Sequence, residues 1–411
     1  MSSENHTPGG GVDRSVFPAF RPRAERAGRV YLDNAATTQM PLEVIEAVAR
    51  FASEGRGNVH RGVHAWSARA TAAYEGAREK ARSFVHAEAA AEIVFVRGAT
   101  EAINLVAQSY GQSHVAAGDE VLVTWMEHHS NIVPWQMLCG RVGARLRVVP
   151  VTDDGVIDLS DVDALLGPRT RVVAVTHVSN AIGTINPVRA IADRAHAAGA
   201  IVLVDGAQAA AHLDIDVRAI DCDFYALSAH KSYGPTGIGI LYGRGRLLDE
   251  MPPWFGGGEM VRSVSFERTT YGPIPHKFEA GTPNVEGAVG MGAAFDFLSR
   301  LDRPRLFAHE RQLLAHATEQ VRKVDGLRII GCAAHKAPIL SMALEGAHAH
   351  DVATILDEEG VAVRAGHHCA QPLIERFGVP ATVRASMAMY NTRADVDALV
   401  LGLYKAREIL G

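Results

Sequence analysis

Five short runs with apolar centres recur between residues 31 and 242 and set the class of fold: Ile93–Val96, Glu120–Thr124, Arg171–Thr176, Ala200–Val204 and Phe224–Leu227. They are rich in strand-forming residues and show no polar alternation, the pattern of strands buried on both faces of a sheet. Helix-compatible stretches separate them, such as 100–115 and 187–198. The second opens with Pro187, whose missing N–H needs no partner in a first helical turn. Strands alternating with helices imply a mostly parallel sheet, with ligands beyond the carboxyl ends of the strands.

The texture changes after Tyr242. Residues 255–284 are rich in glycine and proline and read as a long functional loop. Helical periodicity resumes over about 285–324, and strand candidates Leu327–Ile330 and Ile339–Ala343 belong to a smaller α/β unit. A chain of 411 residues exceeds a usual single core. The expected organisation is a disordered tail over 1–11, a segment over 12–29 that joins the small domain, a large domain over 30–290, and a small domain over 291–411.

The formal net charge of −5, with no basic stripe, argues against a nucleic-acid partner. No apolar run approaches the roughly 20 residues that span a bilayer, and the first residues lack the apolar core of a secretory signal. Cys139, Cys222, Cys332 and Cys369 are far apart and form no C-x-x-C pair. That favours a reducing, cytoplasmic setting over a disulfide framework or zinc ribbon.

Two groups of residues carry chemistry. Cys369 stands in Arg364-Ala-Gly-His-His-Cys369, an electropositive loop of the kind that holds a reactive thiolate. Far upstream, Lys231 follows the strand ending near Leu227, Asp205 closes the strand before it, and Gly98-Ala99-Thr100 links a strand to a helix. A helix start with free N–H groups favours phosphate; Ser228 and His230 can add donors, and His128 offers a ring to stack on. Singly these are a loop carboxylate, a surface cation and an ordinary turn. Together they supply what a pyridoxal phosphate site needs: an amine, an anion for the ring nitrogen, a phosphate cradle and a stacking surface. Two bland readings stand beside these. A free cysteine is commonly an inert core residue, and His367-His368-Cys369 could bind zinc, although no second ligand cluster accompanies it. His60 and His64 are four apart, as a helical metal pair would be, with Gly62 between them.

The segments Tyr31-Leu-Asp-Asn-Ala-Ala36, Glu127-His-His129, Asn131-Ile-Val-Pro-Trp135, Ser179-Asn180, Asp205-Gly-Ala-Gln208, His230-Lys-Ser-Tyr-Gly-Pro-Thr-Gly237, Phe278-Glu-Ala-Gly-Thr-Pro283, Arg364 to Cys369 and Tyr390-Asn-Thr392 carry a family resemblance. From about Val12 onward the chain resembles fold-type I pyridoxal-phosphate enzymes of the aminotransferase class V superfamily, and within them the group II cysteine desulfurases of the SufS type. The resemblance implies an aspartate aminotransferase-like α/β fold, with a mostly parallel sheet in a large domain, a smaller α/β domain and a homodimer. It implies pyridoxal 5'-phosphate carried on Lys231, with Asp205 at the ring nitrogen, Gln208 at the phenolic oxygen and His128 stacked on the ring. Phosphate would be bound by Thr100, Ser228 and His230, beside Ala99 where relatives often carry threonine, and by Thr282 of a second subunit. Arg384 would clamp the substrate carboxylate with Asn180, and Ala35, His60, Arg61 and Arg364 would complete the substrate site. The 256–282 segment would be a hook across the dimer.

The implied reaction converts L-cysteine to L-alanine, leaves a persulfide on Cys369 and passes that sulfur to a SufE- or SufU-like acceptor for iron–sulfur cluster assembly. The same cofactor could instead serve a selenocysteine lyase acting on L-selenocysteine, or a class V aminotransferase. More distant readings are a zinc hydrolase built on His60, His64 and His128, and a scaffold without catalysis.

Overall fold

The computed structural model describes residues 11–21 and 29–411, so the tail expected over 1–11 lies almost wholly outside the described residues, as does most of the joining segment's second half. Seven strands form the large sheet: β1 Ile93–Val96, β2 Glu120–Thr124, β3 Arg145–Val149, β4 Thr170–Thr176, β5 Ile201–Asp205, β6 Phe224–Ser228 and β7 Gly239–Gly243. Their order is β1-β7-β6-β5-β4-β2-β3. The run from β3 to β6 is parallel, and β7 lies antiparallel to both β6 and β1.

Successive side chains of each strand feed two cores, as the period of two requires. Leu122, Val173, Val175, Val202 and Val204 pack with the helices Ala65–Phe84, Val188–Ala197 and Val285–Ser299. Val121, Val123, Val172, Ala174 and Leu203 pack with the helices Ala99–Val106 and Val133–Val142. With helices on both faces, β1, β2, β6 and β7 are buried along their whole length, which explains their unbroken apolar runs. Each fully buried Leu or Val side chain contributes roughly 1.5–3 kcal/mol relative to exposure.

Two strands escaped the run pattern. β3 (Arg-Leu-Arg-Val-Val) is an edge strand, buried only at Val149, so charged residues interrupt its apolar run. β7 follows a glycine-rich turn that hides its start. Its first residue must be glycine, because a Cβ at Gly239 would fall 2.3 Å from the Leu227 carbonyl oxygen and 2.8 Å from Gly98 Cα. That close approach sets where the turn at residues 98–99 lies.

The helix expected over 100–115 is broken into Ala99–Val106, a π turn over Ala107–Gly111 and a last turn to His114. The helix expected over 285–324 is two, Val285–Ser299 and Arg303–Val321, the second capped by the Asp302 side chain accepting from Arg305 N. The 255–284 segment is not wholly irregular. It contains a hairpin, Val261–Val264 with Thr269–Tyr271, and presents Phe255, Val264, Phe266 and Tyr271 to solvent.

A second, antiparallel sheet of order β8-β9-β11-β10 comprises β8 Leu327–Ile330, β9 Ile339–Leu344, β10 Arg364–Gly366 and β11 Thr382–Ser386. Its core includes the helices Arg303–Val321, Ala349–Glu358 and Arg393–Leu410, together with Val30 and Leu32. Val30–Tyr31 pairs in parallel with Val361–Ala362, so the chain passes through this unit before it enters the large one. Phe17 packs edge-on against Tyr390, ring centroids 4.7 Å apart.

Gly239→Ala should cost about 1–3 kcal/mol through overpacking against backbone. The measurement is the thermal midpoint of purified protein, and an unchanged midpoint would contradict the close approach described.

Candidate active site

The carboxyl ends of β2, β4, β5 and β6 and the turn after β1 open onto one cavity of about 250 Å3. Asp205 is the last residue of β5 and Ser228 the last of β6, while Lys231 lies one short turn beyond. Ser228 Oγ accepts the Ala99 amide at 2.8 Å and ties the end of β6 to the start of the Ala99–Val106 helix, with Thr100 in its first turn. Gly98 precedes them at φ 154°, where a side chain would be strained and its Cβ would lie 3.0 Å from Ser228 Oγ. Thr100, Ser228 and His230 all line the cavity beside this helix start.

Burial dominates the electrostatics. It pushes Lys231 down to about 8, helped by Arg384 and Arg364 and opposed by Asp205 and Cys369. Asp205 is held above the ordinary carboxylate range by the same burial, against the Ala207 amide at 3.0 Å and the Lys231 charge. His128 is driven down to about 3 by burial, then by Lys231, and His230 to about 4. Both rings are therefore neutral at physiological pH. His128 Nδ1 accepts the Ser130 amide at 3.1 Å, which assigns its proton to Nε2. Gln208 Nε2 donates to the Ala35 carbonyl at 2.7 Å, and Ala35 N donates to Ser386 Oγ at 2.8 Å. Both residues line the cavity.

Arg384, on β11, reaches the cavity from the second sheet with only 1% of its surface exposed. Its Nη1 donates to the Asn180 carbonyl at 2.8 Å and its Nη2 to Asp33 Oδ1 at 3.0 Å, while Nε has no partner. The Asn180 side chain donates to the His368 carbonyl at 2.5 Å. That bond fixes the cysteine loop, together with His129 N to the Cys369 carbonyl at 2.7 Å.

His368 and Cys369 have φ of 54° and 56°, two successive left-handed non-glycine residues. Such conformations cost of order 1–3 kcal/mol each and persist only where the surroundings enforce them. Arg364 Nη2 lies 3.7 Å from Cys369 Sγ. Arg364 and His368, from the segment that ends at Cys369, both line the cavity of Lys231. The zinc reading of the triplet finds no assembled site: His367 Nε2 pairs with the Pro380 carbonyl and His368 Nε2 with Thr382 Oγ1, each at 2.8 Å.

Two residues expected at the substrate site lie elsewhere. His60 and Arg61 line a second cavity of about 330 Å3 with Glu259 and His276. Thr282 is exposed between Gly281 and Pro283, which also line it. The helix begins only at Ala65, where the His64 side chain caps it by accepting from Ser67 N at 3.2 Å. His60, His64 and His128 are thus not brought together, and the hydrolase set does not form.

One buried residue went unread. Glu127 takes hydrogen bonds from Thr124 Oγ1 (2.7 Å), Asn131 Nδ2 (2.6 Å) and Thr176 N (3.0 Å), and burial pushes it up to about 8. It anchors the turn that carries His128. Its adjacency to two histidines just after a strand end was the available signal.

The aminotransferase class-V family profile matches residues 30–399, and the chain belongs to that family. A Klebsiella pneumoniae protein called cysteine desulfurase is 51% identical over 97% of this chain and 98% of its own length. A Synechococcus elongatus protein of the same name is 49% identical over 95% of this chain, which spans 62% of that longer relative. The crystal structure of the Escherichia coli cysteine desulfurase CsdA superposes with a TM-score of 0.90 at 43% identity, over 97% of this chain and 98% of that one. The α/β fold implied by the resemblance is the fold observed.

Labelling of the Lys231 amine by a small aldehyde, trapped by borohydride, should rise with pH through a midpoint near 8, against the ordinary 10.5 for lysine. Mass-spectrometric quantification at Lys231 checks this, and a midpoint at the ordinary value would mean that the amine is not desolvated.

Proposed function

We propose that the chain is a pyridoxal-phosphate-dependent cysteine desulfurase, which converts L-cysteine to L-alanine and stores the sulfur as a persulfide on Cys369. The observation that carries this reading is the tie between the Cys369 loop and the cavity of Lys231: Asn180, Arg364 and His368 line that cavity, Asn180 bonds the His368 carbonyl, and Arg364 lies 3.7 Å from the sulfur.

The residues present fit the cofactor. An amine and a buried carboxylate share the cavity, a hydroxyl-lined helix start stands beside them, and a neutral imidazole completes the set. Lys231 would hold the aldehyde carbon, Asp205 the ring nitrogen and Gln208 the phenolic oxygen. Thr100, Ser228, His230 and the amide at Ala99 would hold the phosphate, and His128 would cover the ring. When bound, the cofactor supplies an electron-accepting ring that lets the substrate Cα–H bond ionise and weakens the Cβ–S bond.

Arg384 offers an unpartnered Nε and a planar cation to the substrate carboxylate, supported by Asn180 and Ala35. The Lys231 amine, kept largely neutral above pH 8, takes the Cα proton and can return one. Cys369 Sγ then bonds to the substrate sulfur as the Cβ–S bond breaks. That bond's electron pair stays on the carbon side, where a proton completes alanine.

The persulfide passes to a thiol of a SufE- or SufU-like acceptor, for iron–sulfur cluster assembly in the cytoplasm; the four unpaired cysteines support a reducing compartment. The enzyme works as a homodimer in which Thr282 of each copy contributes to the other's phosphate site. The exposure of Thr282 and of Phe255, Val264 and Phe266 in the same segment supports this.

With cofactor bound, Cys369→Ser should lower alanine formation from L-cysteine by at least about a hundredfold and leave the cofactor's visible band intact. Alanine and sulfide assays with and without a thiol acceptor measure this. Retained desulfuration would overturn the role of the thiol, and selenocysteine cleavage without cysteine cleavage in the parent protein would favour the lyase reading.

Arg384→Lys should reduce kcat/KM for L-cysteine about 10–100-fold, mainly through KM, because charged hydrogen bonds of the planar fork are lost. Steady-state kinetics decide, and an unchanged KM would remove Arg384 from the carboxylate site.

A further inference from the structure

A second set of chemically competent side chains lies outside the cavity described. His60 sits in the turn before the Ala65–Phe84 helix, Glu75 on that helix, and His276 in a short helical turn of the 255–284 segment. One nitrogen or carboxylate oxygen from each lies within 4.8 Å of the others. His60 Nε2 and Glu75 Oε1 are 2.9 Å apart. Two ligands at about 2.0–2.1 Å from a tetrahedral ion stand a little over 3 Å apart, so this edge already has nearly the right length. The His60 and His276 rings face each other edge-on, centroids 5.0 Å apart.

A supporting layer surrounds these donors. Glu75 is oriented by Arg78, whose Nε donates to Oε2 at 2.9 Å and whose Nη2 makes a longer contact of 3.4 Å to Oε1. On the far side of the His60 ring, Nδ1 faces Glu259 Oε2 at 3.9 Å, and Arg61 Nε holds Glu259 at 2.9 Å. A carboxylate behind the non-ligating nitrogen is the arrangement that orients a metal-bound imidazole. The His60 backbone is held at φ 67°, its N–H donated to Thr71 Oγ1 at 2.8 Å, so a strained residue is fixed with its ring towards Glu75. The adjoining cavity, lined by His60, His276 and Glu259, leaves room for water as a fourth ligand.

We propose that His60, Glu75 and His276 form a binding site for a zinc-class divalent transition ion, which fastens the 255–284 segment to the Ala65–Phe84 helix. Two imidazoles and one carboxylate suit Zn2+, Co2+ or Ni2+, whereas Mg2+ and Ca2+ prefer all-oxygen shells. The site stands on geometry independent of the desulfurase reading.

The test is titration of the chelator-treated, cofactor-bound full chain with Co2+ and Zn2+. One equivalent should bind per chain, with the Co2+ visible bands of a nitrogen- and oxygen-ligated ion and no thiolate charge-transfer band; excess Mg2+ should not displace it. His276→Ala should weaken binding at least about tenfold, while Cys369→Ser should leave it unchanged. Zn2+ should raise the thermal midpoint of the parent protein and fail to raise that of His276→Ala or Glu75→Gln, each first shown to melt cooperatively without metal. Absence of stoichiometric binding, equal binding by His276→Ala, or loss of binding in Cys369→Ser would each overturn the proposal.

Discussion

A guanidinium almost sealed from water joins the two halves of this molecule at the place where they must agree. Moving an unpaired charge into such a site costs several kcal/mol, and only well-placed partners offset it. Arg384 finds Asp33 and the Asn180 carbonyl, one from the entering chain and one from the end of the large sheet. Asn180 in turn donates to the His368 carbonyl. The sheet, the small domain and the cysteine loop are therefore registered through two adjacent residues. A shift of β11 by one residue would put Val383 or Ala385 at the cavity and leave Asp33 without its cation.

The same dryness tunes the cavity. Lys231 and Asp205 are displaced towards their neutral forms by burial, and each partly restores the other's charge. His128 and His230 are neutral because they share that low-dielectric space with cations. An amine titrating near pH 8 is available as a base at a pH where an ordinary lysine is not. The cationic character that remains is concentrated on Arg384 and Arg364, which suits a carboxylate substrate and a thiolate on Cys369.

Much of this was legible along the chain. Asp205, Ser228 and Gly98 each terminate or follow an apolar run, and in a parallel sheet such residues converge at one edge. What stayed hidden has physical causes. β3 is an edge strand, mostly half-buried or exposed, where arginines break the apolar run. Glu127 does its work through hydrogen bonds made by folding, and a buried acid has the same letter as a surface one. His60, Glu75 and His276 meet only because the 255–284 segment folds back on the Ala65–Phe84 helix, a contact across about 200 residues that no spacing rule encodes. His60 and Arg61 were placed by resemblance at the substrate site, whereas the fold sets them along a second cavity.

The cysteine loop shows why a reactive thiol needs an ordered frame. Two successive left-handed residues without the glycine that would relieve them require external bonds, and His129 N, the Asn180 side chain and Thr382 Oγ1 provide them. All three anchors act on His368 or on the Cys369 carbonyl, and none touches the sulfur. The backbone is thus fixed, whereas Sγ has a long contact to Arg364 Nη2 at 3.7 Å. Under the role proposed for Cys369, a sulfur that faces inward to receive an atom and outward to deliver it would do both by turning about Cα–Cβ, a motion of one side chain that costs far less than unfastening the loop. Strain confined to the main chain would then serve to aim the thiol, whose long contact to Arg364 is easily exchanged as the side chain turns.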